Sequence, residues 1–145
     1  MTHDTGDLEI LTPAEALRLL GSVPVGRIVF TDKALPAVQP VNFVLDGRAV
    51  IIRAGEGSKL AAAIRNAVVA FQADQFESDY RRGWSVTAVG HAQEVLDPIE
   101  RRRLGALPLR PWAPGDRDHF IRIPVELVHG RRIALPLAEP DDLTA

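Results

Sequence analysis

Cysteine is absent from the chain, which removes disulfides, thiolate nucleophiles and thiolate-ligated metals from consideration. Histidine is scarce, at positions 3, 91, 119 and 129 only. No two of the four have metal-ligand spacing and no His-Glu-x-x-His run exists, so no metal is expected. Neither charge sign dominates: 17 basic against 19 acidic residues leave a net charge of -2, which argues against a nucleic-acid partner held by a basic surface. No apolar run approaches the roughly 20 residues of a membrane-spanning helix. The opening "MTHDTGDLEI" has neither the basic start nor the apolar stretch of a signal peptide. The expectation is a cytoplasmic protein with no membrane partner. Also missing are the Gly-x-Ser-x-Gly elbow of hydrolases, the Walker phosphate loop and the Gly-x-Gly-x-x-Gly turn of dinucleotide-binding folds. Acidic residues gather in loops, helix starts and the tail, without a paired-carboxylate site.

What remains is an ordinary globular composition in 145 residues, 46% hydrophobic and 25% charged, enough for one domain with its own core. Residues 1–9 and the acidic tail 137–145 read as flexible, leaving 10–136 as the folded unit. The first element is a helix at "TPAEALRLLG": Thr12 as cap, Pro13 in the first turn, Glu15 completing a capping box and Gly21 as the stop. The period then changes to two. "GRIVFTD", "ALPAVQPVNFVLDGRAVIIRAG", "VVAFQAD", "GWSVTAVGHAQEVLD" and "HFIRIPVELVHGRRIAL" supply six strands, with Asp46-Gly47 as a hairpin signal and a break or bend near Pro124. Short helices are expected after Ser58 and from Asp97-Pro98. The connections lack regular βαβ alternation, so the fold class is mostly β with short helices, an antiparallel barrel.

Several side chains invite a chemical reading beside a plain one. Arg53 ends an apolar strand row, where a guanidinium either answers an anion or reaches water along the strand end. In "GEGSKL", Gly55 and Gly57 allow a tight turn and Ser58 can cap a helix. Lys59 opposes the macrodipole there, a misfit that a phosphate would relieve. Asn42 interrupts an apolar strand row and would either read the edge of a planar ring or bond across strands. Trp84 packs in a core or stacks on a ring. His91 reads as a strand residue rather than a base. Trp112, between Arg110 and Arg117, belongs to a lid, a dimer contact or a surface loop.

Taken in order, "GRIVFTD", "AVQPVNFVLDGRAVIIRAGEGSKLAAAIRNAVVAFQAD" and "GWSVTAVGHAQEV", with the leading helix and the closing "IRIPVELVHGRRI", resemble the pyridoxamine 5'-phosphate oxidase-like, FMN-binding split-barrel family. The match is to its small actinobacterial-type members and runs over residues 10–135. The resemblance implies a six-stranded antiparallel Greek-key split β-barrel that forms a homodimer with FMN at the interface. It implies that Arg53, with Ala54 beside it, and the Ser58-Lys59 pair meet the flavin phosphate. Gln39, Pro40, Val41 and Asn42 would run along the isoalloxazine ring. Trp84 and Ser85 would reach the flavin from the partner subunit, and Trp112 would lie on the ring's other side. The implied activity is electron or hydride transfer between a nicotinamide cofactor and a small planar substrate. Alternatives are the deazaflavin F420 in the same fold, or a non-enzymatic flavin or haem carrier or sensor. Two departures count against vitamin B6 oxidation. Ser58-Lys59 stands where those oxidases carry Arg-Lys, and "VELVHGRRIALPLAEP" lacks their substrate-binding Arg and His pattern.

Overall fold

A computed structural model describes residues 2–3, 8–55, 59–79, 81–109 and 119–134. The leading helix, α1 (Pro13–Leu20), forms as its sequence predicts, with the Glu15 amide donating to Thr12 Oγ1 at 3.2 Å. The reciprocal half of the capping box is replaced. The Glu15 carboxylate instead accepts from Arg18 at 2.7 Å and from the distant Arg132 at 2.9 Å. These two guanidiniums hold the Glu15 pKa down at about 2. A local cap has thus become a tether between α1 and the last strand. Ala16, Leu19 and Leu20 are buried from the same helix face.

Two antiparallel sheets follow. The first has seven strands: β1 (Thr2–His3), β2 (Leu8–Ile10), β3 (Val25–Asp32), β4 (Leu35–Asn42), β7 (Val68–Phe76), β8 (Arg82–His91) and β11 (Leu127–Ala134), in the order β1-β2-β11-β8-β7-β3-β4. The second has four: β5 (Val44–Asp46), β6 (Ala49–Ala54), β9 (Gln93–Glu94) and β10 (His119–Pro124), ordered β5-β6-β10-β9. Helices α2 (Lys59–Ile64) and α3 (Pro98–Gly105) complete the described elements. The sheets do not close on one another, which makes the fold an open, split β-barrel.

Three runs that read as single strands in the sequence change sheet partway, one of them at Ala92 between β8 and β9. At Phe43 the chain leaves β4 for β5, and the Phe43 amide bonds the Pro24 carbonyl at 3.2 Å. At Val125-Glu126 it leaves β10 for β11, just past the proline expected to bend it. The two sheets pack tightly beside the Val125 corner. A Cβ on Gly90 would lie 2.0 Å from the Pro124 carbonyl oxygen, so only glycine lets β8 pass there.

The main core fills the space between the sheets, from Ile28, Phe71, Val86 and Ala88 on one side to Val50, Ile52, Ile121 and Ile123 on the other. Phe43 meets Phe71 edge-on at 4.6 Å between centroids. A smaller core of Ala49, Ile51, Leu104, Leu109 and Phe120 lies on the outer face of the four-stranded sheet, beneath α3. Strand β6 is therefore covered on both faces, which is why "AVII" is continuously apolar rather than alternating. Among the described residues no helix is long and apolar enough to cross a membrane.

Candidate functional site

Arg53 sits next to the end of β6, opposite Phe120 of β10. Strand periodicity puts it on the face of Ala49 and Ile51, toward the smaller core. The guanidinium is half-buried, 5.3 Å from the centroid of the Phe120 ring, and donates to the Leu109 carbonyl at 3.2 Å. A cation over an aromatic face is stabilised by the ring's quadrupole. Arg53 is one of the residues lining an open pocket of about 410 Å3, with Pro98, Arg101, Arg102 and Gly105.

The walls of that pocket come from one face of α3. Pro98, Arg101, Arg102 and Gly105 are spaced i, i+3, i+4, i+7, so they align along the helix. The opposite face is an anchor. Arg103 donates to both Asp46 oxygens at 3.1 and 2.7 Å and to Glu100 at 2.8 Å. Arg122 from β10 reaches Glu100 at 3.1 Å and Asp46 at 3.5 Å. Leu104 is fully buried between them. Hydrogen bonding from Arg103 holds the Asp46 and Glu100 carboxyls below their usual range, and the same partners raise the already high Arg103 pKa. This short helix buries only one residue, Leu104, so ion pairs from two strands help fix its rotation. Asp97 caps it through the Ile99 amide at 3.1 Å.

The other residues singled out in the sequence divide by location. Gln39, Pro40, Val41 and Asn42 lie on β4, the edge strand of the large sheet, with Val41 buried and Gln39 and Pro40 exposed. Asn42 and Arg53 each lie two residues beyond the Val44–Ile51 register pair, on the same side of it. The sheet change at Phe43 thus ends the "QPVN" strand on the side of that register pair where Arg53 lies. Ala54 packs inward into the main core, and Lys59 opens α2, whose Leu60 and Ile64 join that core. Ser58 and Trp112 lie outside the described residues. Trp84 and Ser85, adjacent in sequence, point to opposite faces of β8. Trp84 is 7% exposed on the core side, and the Ser85 hydroxyl accepts from Gln72 at 3.2 Å on the outer side.

Trp84 lines a separate open pocket of about 650 Å3 with Phe76, Arg82, Gly83 and Arg132 among its walls. Gly83 has a steric task there: the Phe76 ring would lie 2.1 Å from a Cβ at position 83. Among the described residues the two pockets share no lining residue. Among the described residues no group of three or more His, Asp or Glu could hold a metal.

Sequence reasoning missed Arg101 and Arg102. A signal for them was present, since "PIERRRLG" puts two arginines and a glycine on one helical face. What that face meets is set by the pairing of β6 with β10. It also missed the network on the outer face of the large sheet, where Arg27 and Gln72 both donate to Asp74, at 3.1 and 2.8 Å.

Comparison with known proteins places this geometry in context. The family model described as pyridoxamine 5'-phosphate oxidase matches residues 12–132. An uncharacterised protein of Mycobacterium tuberculosis is 44% identical over 132 residues, covering 87% of this chain and 86% of the relative. The solved structure of an FAD-binding protein from Mycobacterium smegmatis shares 35% identity with a TM-score of 0.74, covering 87% of this chain and 98% of that one. A Corynebacterium glutamicum structure gives 32% identity and a TM-score of 0.81, covering 93% and 99%. With a family match across every core element from α1 to β11, and relatives that align nearly end to end, the chain belongs to the pyridoxamine 5'-phosphate oxidase-like family.

Proposed function

We propose that this chain is a flavin-binding oxidoreductase that works as a homodimer, with the riboflavin phosphate held at Arg53. The observation that carries the reading is the half-buried Arg53 guanidinium, seated over the Phe120 ring and lining a pocket with Arg101 and Arg102. The 35% identical Mycobacterium smegmatis protein that binds FAD supports the ligand class. The FMN moiety, common to FMN and FAD, is the part the pocket's floor would receive.

The chain's own residues divide the binding task. Arg53 answers the phosphate, with Lys59 following it in sequence. Strand β4, from Gln39 to Asn42, offers the edge of a sheet for a planar ring to lie along. The flavin itself supplies the hydride and electron chemistry, so no side chain has to act as acid or base. That suits a chain whose described residues hold no paired-carboxylate or nucleophile site. A nicotinamide cofactor is the proposed electron source, and a small planar molecule the acceptor.

The proposed second subunit would cover the outer face of the large sheet. One register row across five strands, Leu127, Val89, Ala70, Val29 and Val38, is entirely apolar. Its two ends are among the most exposed large side chains, Leu127 at 67% and Val38 at 64%. Aligned exposed apolar side chains of this kind favour association.

The test is direct. Purified protein is titrated with FMN and with FAD while flavin absorbance and fluorescence are followed, and any copurifying chromophore is weighed by mass spectrometry. A perturbed flavin spectrum supports the reading; no spectral change with either flavin in large excess sinks it. Anaerobic NADH or NADPH should then bleach the bound flavin. Binding without bleaching would leave a flavin carrier rather than an oxidoreductase.

A further inference from the structure

We infer that the open end of the large sheet is a binding site for a small planar aromatic carboxylate, with the Trp84 indole N–H and the Arg82 guanidinium as its donors. The inference does not depend on the flavin reading. The site is the pocket of about 650 Å3 that Phe76, Arg82, Trp84 and Arg132 help to line. Trp84 is 7% exposed, yet among the described residues nothing accepts a hydrogen bond from its indole nitrogen. Nor is that nitrogen sealed inside the protein. Among the described residues, Glu9 Oε2 is the one side-chain polar atom both buried and unpartnered. The indole N–H therefore opens into the pocket that its ring lines. A donor at the tip of a nearly buried ring is satisfied by whatever enters the cavity.

Arg82 supplies the second donor. It precedes Trp84 by two residues on β8, so both point to one face of the strand, about 7 Å apart along it. Its side chain is exposed and, among the described residues, has no hydrogen-bond or ion-pair partner. Arg132, opposite Trp84 on β11, is by contrast committed to Glu15 at 2.9 Å and serves as a wall. Phe76 adds an aromatic surface, its ring lying where a Cβ on Gly83 would be. Glu77 is the acidic residue of the lining, and its amide donates to the Arg82 carbonyl at 2.9 Å. Aromatic walls favour a flat ring, and a guanidinium favours a carboxylate. The indole nitrogen, which can only donate, calls for a second acceptor at the other end of that ring.

The probe is 4-hydroxybenzoate, titrated into nitrogen-15-labelled protein while the indole N–H signals are followed and calorimetry reads the affinity. The chain has two tryptophans, so Trp112→Phe identifies the Trp84 signal. That signal should shift and saturate. Benzoate, without the second oxygen, should bind about fivefold more weakly, and 4-hydroxybenzamide, without the charge, about tenfold, the factors for a neutral and a charge-assisted hydrogen bond. Arg82→Gln should cost 4-hydroxybenzoate about tenfold and leave 4-hydroxybenzamide unaffected. Because Arg82 is exposed, that variant should keep the wild-type melting curve. Glu77→Gln removes a competing carboxylate and should tighten binding of the acid. A Trp84 signal unmoved at millimolar probe, or equal affinities for the three compounds, would overturn the site. Loss of probe binding in the presence of FMN would overturn it too, since the pocket would then belong to the flavin. A protein that binds the probe but neither FMN nor FAD would keep this site and lose the flavin reading.

Discussion

The two sheets are built from similar residues but treat their outer faces differently. Strand β6 of the small sheet is covered on both sides, by the main core through Val50 and Ile52 and by α3 through Ala49 and Ile51. The large sheet has its core on one side only. Its other side carries the row from Leu127 to Val38 and the Arg27, Gln72 and Asp74 network, all exposed or half-exposed. Where a helix covers the sheet, polar chemistry is gathered at its rim as the arginine pocket. The uncovered sheet leaves an apolar row as a surface for a second copy. The small sheet thus holds the proposed phosphate end, and the large sheet the proposed assembly face.

The sharpest way to break that contrast is to truncate one residue from each face. Ile51→Ala removes a fully buried side chain between β6 and α3 and should cost about 2–5 kcal/mol in urea unfolding. Val38→Ala, on the bare face, should shift the monomer's stability by no more than about 0.5 kcal/mol. Similar costs for the two would mean that the bare face is packed as tightly as the covered one.

The assembly face gives the next largest effect. Introducing a charge into the exposed row with Val38→Asp and Leu127→Asp should leave the monomer folded. It should weaken self-association at least about a hundredfold, the loss expected when charges enter an apolar contact without partners. Sedimentation over a range of concentrations reads this directly. A wild type that stays monomeric at high concentration would take the dimer proposal with it.

Acid should act more gently, and first where α3 is anchored. Asp46, Glu100 and Glu15 all have carboxyl pKa values lowered by arginine partners, Glu15 to about 2. A folded pKa below the unfolded one means stability that is present above the unfolded value and lost as pH falls through the folded one. The melting temperature should therefore fall progressively between about pH 4.5 and pH 2. Replacing Arg103 with Gln should flatten part of the acid slope, and an unchanged slope would mean that the Asp46–Glu100 lattice contributes little.

Much of this architecture was legible in the sequence, and the unread parts have physical reasons. The cap at Thr12, the Asp46-Gly47 hairpin and the period-two strands are local, so neighbouring residues reveal them. The change of sheet at Phe43 is not local. No glycine or turn dipeptide marks a break in "VQPVNFVLD", and only the large sheet's claim on β4, through β3, shows where the strand divides. Arg53 could be suspected because a charge ending an apolar row stands out. Arg101 and Arg102 could be put on one helical face but not beside Arg53, because an arginine run on a helix ordinarily faces water. Their neighbour Arg53 lies 48 positions before Arg101, brought close by β6 pairing with β10. Trp84 and Ser85 alternate in the sequence pattern, and strand geometry sends them to opposite faces.

The smallest predicted effect concerns the two hairpins, which solve one problem in different ways. The β5–β6 turn places Gly47 at φ 59°, a left-handed conformation that glycine adopts without strain. The β3–β4 turn places Lys33 at φ 51° and Ala34 at φ 67°, where each side chain crowds its own backbone at a cost of about 1 kcal/mol or more. Both residues are exposed, so no packing would be lost by changing them. Ala34→Gly should stabilise the protein by roughly 0.5–1 kcal/mol, the relieved strain being partly offset by the greater freedom glycine gives the unfolded chain. Gly47→Ala should destabilise by a similar amount. If Ala34→Gly instead lowers stability, the left-handed turn at the tip of the bare sheet would not be the source of strain that its backbone angles indicate.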